Sequence, residues 1–408
     1  MHNAVTKNFN EYDLFLSSQK NSSYYGAFQS LKMMYSIHMT FALQKSHFFL
    51  LKQVVRLFLK LCRLPFVTST FNKSLHPCSI LKTVPDLDRK IIQGNEVELV
   101  TLQIKIGFNK QTLSILKHWI AASKILLEEN HLHTIHIIAL LHRLLDYFLT
   151  FTTVEFGSIT TLLMENDRLP TSKALIDKAR ILNIHTVKFD YWLLDPIHHN
   201  DVYCDTYYCP SDYHKAIALN STTGKKLNIV QGGFPSWDHL SALRVEKVIE
   251  PFIVYFTQPT VPLKEHQRYI NDLSRYATNY KIMIKVHPRE DISPYIPFAS
   301  QHICVIGKET DSYELLRQGD MFFSIFSTIS LEAKHLCEYS FFINYTSSEY
   351  PSPINYDQIG LDVITDSSTL SALFNRQLHP MSKETFIAHN NFAYPNSVEK
   401  LFGLCRHE

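Results

Sequence analysis

Short apolar runs alternate with amphipathic stretches over most of the chain. The sharpest pair lies between Lys281 and Ala333. Ile282, Met283, Ile284 and Val286 form a β-prone run that stops at His287-Pro288. Residues 321–326 form a second run, which stops at Ser327-Thr328, where a helical spacing begins. Near-continuous apolar runs of this length suit strands buried on both faces of a parallel sheet. Ligands of open parallel sheets sit at the carboxyl ends of the strands, so both polar clusters are predicted at a binding edge.

The alternation extends in both directions. Residues 159–164, 185–189, 203–208 and 227–230 read as strands, and Pro170 and Ser172 open a helix to 181. The loops after these strands include Glu165-Asn166-Asp167 and Gly232-Gly233-Phe234-Pro235, the latter leading to Trp237-Asp238. Further on, 252–256, 303–306, 341–344 and 363–364 read as strands, with helices over 263–278, 312–317 and 368–374. Residues 97–108 alternate in one register (Val100, Leu102, Ile104, Ile106, Phe108) and predict one strand, followed by helices over 111–129 and 134–148. The pattern predicts an α/β chain with two Rossmann-like, doubly wound domains facing across a cleft. The expected divisions are a basic, partly helical extension over 1–85, a first domain over 86–245 and a second over 246–408. A length of 408 residues suffices for two cores.

The extension has its own pattern. Residues 1–25 are polar and read as loosely ordered. From Leu14 to Pro85 there is no Asp or Glu, whereas Lys and Arg recur throughout. Within it, 42–64 predicts a helix that Pro65 ends. Lys45, Lys52, Arg56, Lys60 and Arg63 fall on one side, and Phe48, Leu51, Val54, Val55, Phe58, Leu59 and Cys62 on the other. Such a helix either packs its apolar face on a core or lies on an anionic membrane surface.

Composition narrows the class. At 45% hydrophobic and 19% charged residues the chain is globular, and a net charge of +2 gives no sign of a nucleic-acid partner. The 7 cysteines are scattered without a CxxC, and Cys204 and Cys209 lack zinc-knuckle spacing. The N-terminus does not read as a signal peptide, and no apolar run matches a bilayer span. The expected location is cytoplasmic, peripheral on the inner membrane face, with reduced thiols. His131, His133, His136 and His142 read as structural, Asp86-Leu87-Asp88 as a solvated turn, and neither metal nor cofactor is expected. Only 11 glycines occur, without GxGxxG or GxxxxGK[ST], which argues against nicotinamide dinucleotide enzymes and P-loop NTPases.

The strand-end clusters carry complementary chemistry. Ser327 and Thr328 at a helix N-terminus form an anion site from free N–H groups and hydroxyls. Glu332, one turn further, is placed to reach a ribose hydroxyl. His287, held extended by Pro288, can donate a hydrogen bond or proton to a leaving phosphate oxygen. Gly232 and Gly233 permit close approach of backbone or ligand.

These features resemble the GT-B class of glycosyltransferases. The resemblance is especially to bacterial surface-polymer enzymes, among them sialyl-, polysialyl- and Kdo transferases and the related CDP-glycerol glycerophosphotransferases. The matching residues are His287-Pro288, Ser324 with Ser327-Thr328, the "LEA" ending at Glu332-Ala333, and Gln258-Pro259. In the first half they are the acidic loop, "NIHTVKF" and "GGFPSWD". Two departures stand out. Glu155-Phe156-Gly157 has Phe where those families carry a second acid, and Asp190-Tyr191 replaces a His-Gly. The resemblance implies inverting, metal-independent transfer from a CMP- or UDP-type nucleotide sugar. The acceptor would be a cell-surface glycan or lipid-linked glycan of the capsule or lipopolysaccharide kind. The donor would contact Gln258, Lys285, Pro288, Ser324, Ser327, Thr328 and Glu332, with His287 at the leaving phosphate. Glu165, Asp167 or Glu155 would be the base, and Gly232 and Gly233 would line the first domain's edge. The rivals are a CDP-polyol glycerophosphotransferase and a non-catalytic GT-B-like scaffold.

Overall fold

The computed structural model describes the chain apart from residues 1–11, 14, 33–34, 36–46, 72–77, 82–97, 101, 107–108, 129–133, 191–192, 195–200, 221–225, 244–249, 260, 349–351, 353, 391–395 and 405–408. The Asp86-Leu87-Asp88 turn, His131 and His133 lie outside the described residues, as does the side chain of His136.

The chain forms two parallel six-stranded sheets, each in its own α/β domain, as the alternation predicts. The first sheet runs β3-β2-β5-β6-β7-β8. Its strands are β2 (Cys78–Leu81), β3 (Glu98–Val100), β5 (Thr161–Met164), β6 (His185–Phe189), β7 (Thr206–Cys209) and β8 (Asn228–Gln231). The second runs β11-β10-β9-β12-β13-β14, from β9 (Phe252–Phe256), β10 (Lys281–Lys285), β11 (Ile303–Ile306), β12 (Met321–Ser324), β13 (Ser340–Ile343) and β14 (Val363–Ile364). By chain position within the domain this is the 3-2-1-4-5-6 order of dinucleotide-binding sheets, with its reversal between β9 and β12. Ile253, Tyr255, Ile284, Phe323 and Phe341 are fully covered from both sides, which explains their apolar runs.

Four expectations need correction. A boundary at 85 does not divide the structure. β2 pairs in parallel with both β3 and β5 inside the first sheet. Tyr12, Phe15, Phe28 and Leu31 share one core with helices α3 (Thr112–Glu128) and α4 (Thr134–Thr153). Residues 97–108 do not form one strand, because β3 joins the parallel sheet while β4 (Leu102–Ile106) pairs antiparallel with β1 (Val67–Phe71). Helix α2 (His47–Arg63) is rotated from the expected orientation. Leu57 and Leu61 pack on the core, whereas Val54, Val55, Phe58 and Leu59 are exposed. The reason is polar: Lys60 Nζ sits 2.5 Å from Asp146 of α4 and turns that position inward, while Arg56 and Arg63 stay exposed. Finally, the second domain does not keep the whole C-terminus. The last helix, α13 (Ser397–Gly403), returns to the first domain, where Leu401 and Phe402 pack on Leu163, Val187 and Phe189. Asp238 caps it by accepting the N–H groups of Ser397 (3.0 Å) and Val398 (2.8 Å).

Among the described residues the domains share an apolar cluster. It joins Leu193, Leu194, Phe234 and Trp237 of the first to Leu331, Phe342 and Ile359 of the second. No described helix is long and apolar enough to cross a membrane.

Candidate functional site

The second sheet's register brings three strand ends level. Phe256 of β9 pairs with Lys285 of β10 on one side and with Ser324 of β12 on the other. The loops leaving these strands therefore emerge side by side at the topological reversal. They carry Gln258, His287 and Ser327-Thr328.

Hydrogen bonds fix the loops. Thr257 Oγ1 accepts the His287 N–H at 3.0 Å and donates to Glu290 at 2.5 Å, and Tyr295 donates to the same carboxylate at 2.8 Å. The Arg289 N–H donates to His287 Nδ1 at 3.1 Å. That bond places the proton of the neutral ring on Nε2. Burial is the largest influence on the His287 pKa and lowers it. Glu290 opposes the shift, and Arg289 and Lys285 add to it. Gln258 Oε1 accepts the Phe326 N–H at 2.8 Å and ties the β9 loop to the β12 loop across the reversal. Behind Gln258, buried His266 bonds its backbone oxygen at 3.1 Å and the Tyr255 hydroxyl at 2.7 Å.

Helix α9 (Thr328–Leu336) opens from the β12 loop with Ser327 as N-cap. Ser324 is fully buried. It shares a 2.6 Å hydrogen bond with Ser330 and accepts the Ser327 N–H at 3.1 Å, so it braces the turn from within and has no surface for phosphate. Lys285 is likewise taken, donating to the Gly307 carbonyl. Pro288 is exposed beside half-buried His287. The Thr328 N–H has no acceptor among the described residues, which leaves one free donor at the positive end of α9.

Two of the expected donor contacts are bound instead to the first domain. Thr328 Oγ1 accepts the Leu193 N–H at 2.7 Å. Glu332 Oε1 accepts from Trp237 Nε1 at 3.1 Å, with both side chains buried. Tyr313, on α8 (Ser312–Gln318), also bonds this carboxylate, and burial first and the Glu332 charge second push its hydroxyl pKa up, keeping it a donor. Trp237 lies in a 3-10 segment (Pro235–Ala242), with its ring 4.2 Å from Phe234 and 4.8 Å from His335.

The first domain's edge is a buried ionic network. Glu165 and Asp167 follow β5 and are both fully buried. Asp167 Oδ2 accepts the Tyr203 N–H at 2.6 Å. Lys188 lies 3.4 Å from Asp190, 3.9 Å from Asp167 and 4.7 Å from the Tyr207 ring centre. The Tyr207 hydroxyl donates to Asp190. Burial is the main reason the Lys188 pKa is lowered. Glu155 is exposed and precedes β5, whereas Glu165 follows it, so it sits at the sheet's amino edge and does not join the others. Gly232 has a packing role: a Cβ there would fall 2.1 Å from the Tyr208 hydroxyl. Gly233 adopts φ +85°, which favours glycine.

The structure thus brings Gln258, His287, Pro288, Ser327, Thr328 and Glu332 to one region, with Ser324 and Lys285 just beneath it. It leaves Glu155 elsewhere. Sequence reasoning assigned no role to Trp237, Tyr313, His266 or Asp190. Trp237 stood within the quoted motif, but an indole carries no evident chemistry by itself. Among the described residues no cluster of His, Cys, Asp and Glu could hold a metal ion.

No protein-family model matches the chain, and no curated protein matches it. Among solved structures it is similar to the wall teichoic acid polymerase TagF soaked with CDPG, at 14% identity over 64% of this chain and 73% of that one, with a TM-score of 0.42. It is also similar to UDP-GlcNAc 2-epimerase from Neisseria meningitidis bound to UDP-GlcNAc, at 11% identity over 80% of this chain and 98% of that one, with a TM-score of 0.46. The lipopolysaccharide outer core galactosyltransferase WaaB is similar at 11% identity over 80% and 98%, with a TM-score of 0.43. At these identities and scores the likenesses assign neither family nor activity.

Proposed function

We propose that the protein is a transferase that moves a sugar from a CMP- or UDP-type donor to a surface-glycan or lipid-linked glycan acceptor at the cytoplasmic face of a membrane. The observation that carries this reading is the β9–β12 reversal. There a neutral His287 with its proton on Nε2, the Thr328 N–H and the Ser327 hydroxyl share the carboxyl edge of a 3-2-1-4-5-6 sheet.

The donor phosphate would lie against the start of α9, with Glu332 on the ribose once Trp237 has yielded it. The acceptor oxygen bonds to the anomeric carbon as the carbon–phosphate-oxygen bond breaks. The electron pair leaves with the nucleotide, where His287 Nε2–H donates to the phosphate oxygen. The acceptor's proton passes to a first-domain carboxylate. Glu165 and Asp167, buried in the loop after β5, are the candidates, and each would need that loop to open before it could act. A CDP-polyol donor would use the same anion site.

One observation favours the scaffold reading: Thr328 Oγ1 and Glu332 are already engaged by the first domain. Thermal shift with CMP, CDP, UDP and GDP, paired with hydrolysis of the corresponding nucleotide sugars, tests the choice. The transferase reading expects stabilisation by one nucleotide and slow hydrolysis of its sugar. A protein that shows neither is a scaffold.

A further inference from the structure

A groove of about 900 Å³ runs between α2 and α4, far in sequence from the strand-end site. Its rim carries Arg56, Arg63 and Arg143, and its wall carries Leu59, Phe66 and Leu149. The carboxylate lining it is Asp146, which Lys60 engages at 2.5 Å and Arg143 at 3.8 Å. Neither Arg56 nor Arg63 has a carboxylate partner among the described residues. Among the described residues the groove therefore keeps excess positive charge, and its α2 side belongs to a stretch with no Asp or Glu from Leu14 to Pro85.

Beside the groove is an exposed apolar row. Val54, Val55, Phe58 and Leu59 follow the spacing of one helix face. Phe58 is 64% exposed, and Phe66, just past the helix, is 56% exposed. Isolated exposed apolar side chains are ordinary on any surface. A contiguous row with two phenylalanines, next to arginines that have no carboxylate partner among the described residues, suits a partner that is apolar and anionic at once.

We infer that this face docks on an anionic phospholipid bilayer. The groove receives lipid phosphates through Arg56 and Arg63, and Val55, Phe58 and Phe66 enter the headgroup layer. Guanidinium forks match phosphate oxygens bidentately. An amphipathic helix of this kind lies in the interface plane with its apolar side down. A free phosphate would satisfy the arginines and leave the apolar row uncovered. A second copy of the chain meeting this face across a two-fold axis would bring the same arginines against themselves. The inference deepens the membrane placement of the proposed reading, and its test is separable from the transfer reaction, because none of these residues belongs to the nucleotide region.

The test is vesicle flotation of the full chain. One set of vesicles is pure phosphatidylcholine and the other contains phosphatidylglycerol, each at low and high salt. The expected result is binding to the anionic set alone, weakened by salt. Arg56→Gln with Arg63→Gln should lower partitioning roughly twenty-five-fold, at about fivefold per cation. Phe58→Ser with Phe66→Ser should also release the protein, without a change in thermal midpoint, because both side chains are exposed. Inorganic phosphate at millimolar concentration should not displace it. The inference fails if wild-type protein ignores anionic vesicles at low salt, or if the arginine pair can be removed without effect. Displacement by inorganic phosphate also overturns it, as does an oligomer that the Phe58→Ser, Phe66→Ser variant dissolves. Nucleotide-induced stabilisation, measured in the same variants, reports on the transferase reading separately.

Discussion

The Trp237–Glu332 bond gives the sharpest test of how the two domains share the site. Trp237→Phe removes the indole N–H and keeps an aromatic ring against Phe234 and His335. A hydrogen bond to a charged group contributes roughly 1.5–3 kcal/mol. Both partners are buried, so water does not replace the donor. With an unfolding entropy of about 2.1 cal/mol/K per residue, a loss of roughly 2 kcal/mol lowers the midpoint by about 2 °C if the chain unfolds as one unit. Urea denaturation at fixed slope measures the loss more directly. The same change removes Trp237's claim on Glu332 and leaves the Tyr313 bond in place. If Glu332 binds ribose, a nucleotide no longer competes with Trp237, and its affinity rises. The ceiling is the lost bond itself, roughly ten- to 150-fold. Titration calorimetry with the nucleotide chosen by the thermal-shift panel measures this, with Glu332→Gln as the variant expected to bind weakly. Unchanged stability in Trp237→Phe would show that the bond does not form in solution. Lower stability together with weaker nucleotide binding would refute the competition and make Trp237 part of the ligand's seat.

Three further outcomes follow from the geometry. Half-buried His287 has its pKa lowered relative to the unfolded chain, chiefly by desolvation, so its contribution to stability is intact above about pH 6.5 and is lost as pH falls through the window below. A bound phosphate favours the protonated ring, so nucleotide affinity should rise from pH 7.5 to 5.5, and His287→Gln should flatten that profile in calorimetry. Lys188→Met leaves Asp167 and Asp190 buried without their ammonium, which should cost about 3–5 kcal/mol in urea denaturation; a loss under about 1 kcal/mol would show that the network tolerates the charge poorly even when intact. Asp238→Ala removes both acceptors at the start of α13 and should cost about 1–2 kcal/mol. Amide exchange should rise first across 397–403, and uniform exchange would contradict the assigned cap.

What the sequence revealed depended on how local the cause was. β9, β10 and β12 are legible because burial on both faces forces an apolar run, and their polar ends mark the edge. The reversal between β9 and β12 is a matter of strand order, which periodicity does not encode. β2 is a four-residue strand whose meaning comes from pairing with Thr161–Met164, far along the chain. The α2 pattern was legible but its orientation was not, because Lys60 finds its carboxylate on another helix. Gly232 looked like a site glycine and proves to make room for Tyr208. Glu332 and Thr328 stand on the helix after β12, as their spacing predicts, but their partners, Trp237 and Leu193, lie in the other domain.

That division sorts the polar groups at the edge by what they are able to do. Ser324, Gln258 and Lys285 are consumed within the second domain, where they hold the strand-end loops in register. Removing any of them would damage the site's shape before its chemistry. His287 and Ser327 are half-buried with part of their surface open, and the Thr328 N–H has no acceptor among the described residues, so they can meet a ligand without rearrangement. Glu332 and the Thr328 hydroxyl belong to a third kind, bonded across the domain seam. A ligand that used them would have to break bonds between the domains, and its affinity would be reduced by the population that is already open. Ligand binding and domain separation at this edge are therefore linked: whatever weakens the Trp237 and Leu193 contacts strengthens a ligand that needs Glu332 and Thr328, and a ligand that binds there must loosen the seam by the same free energy.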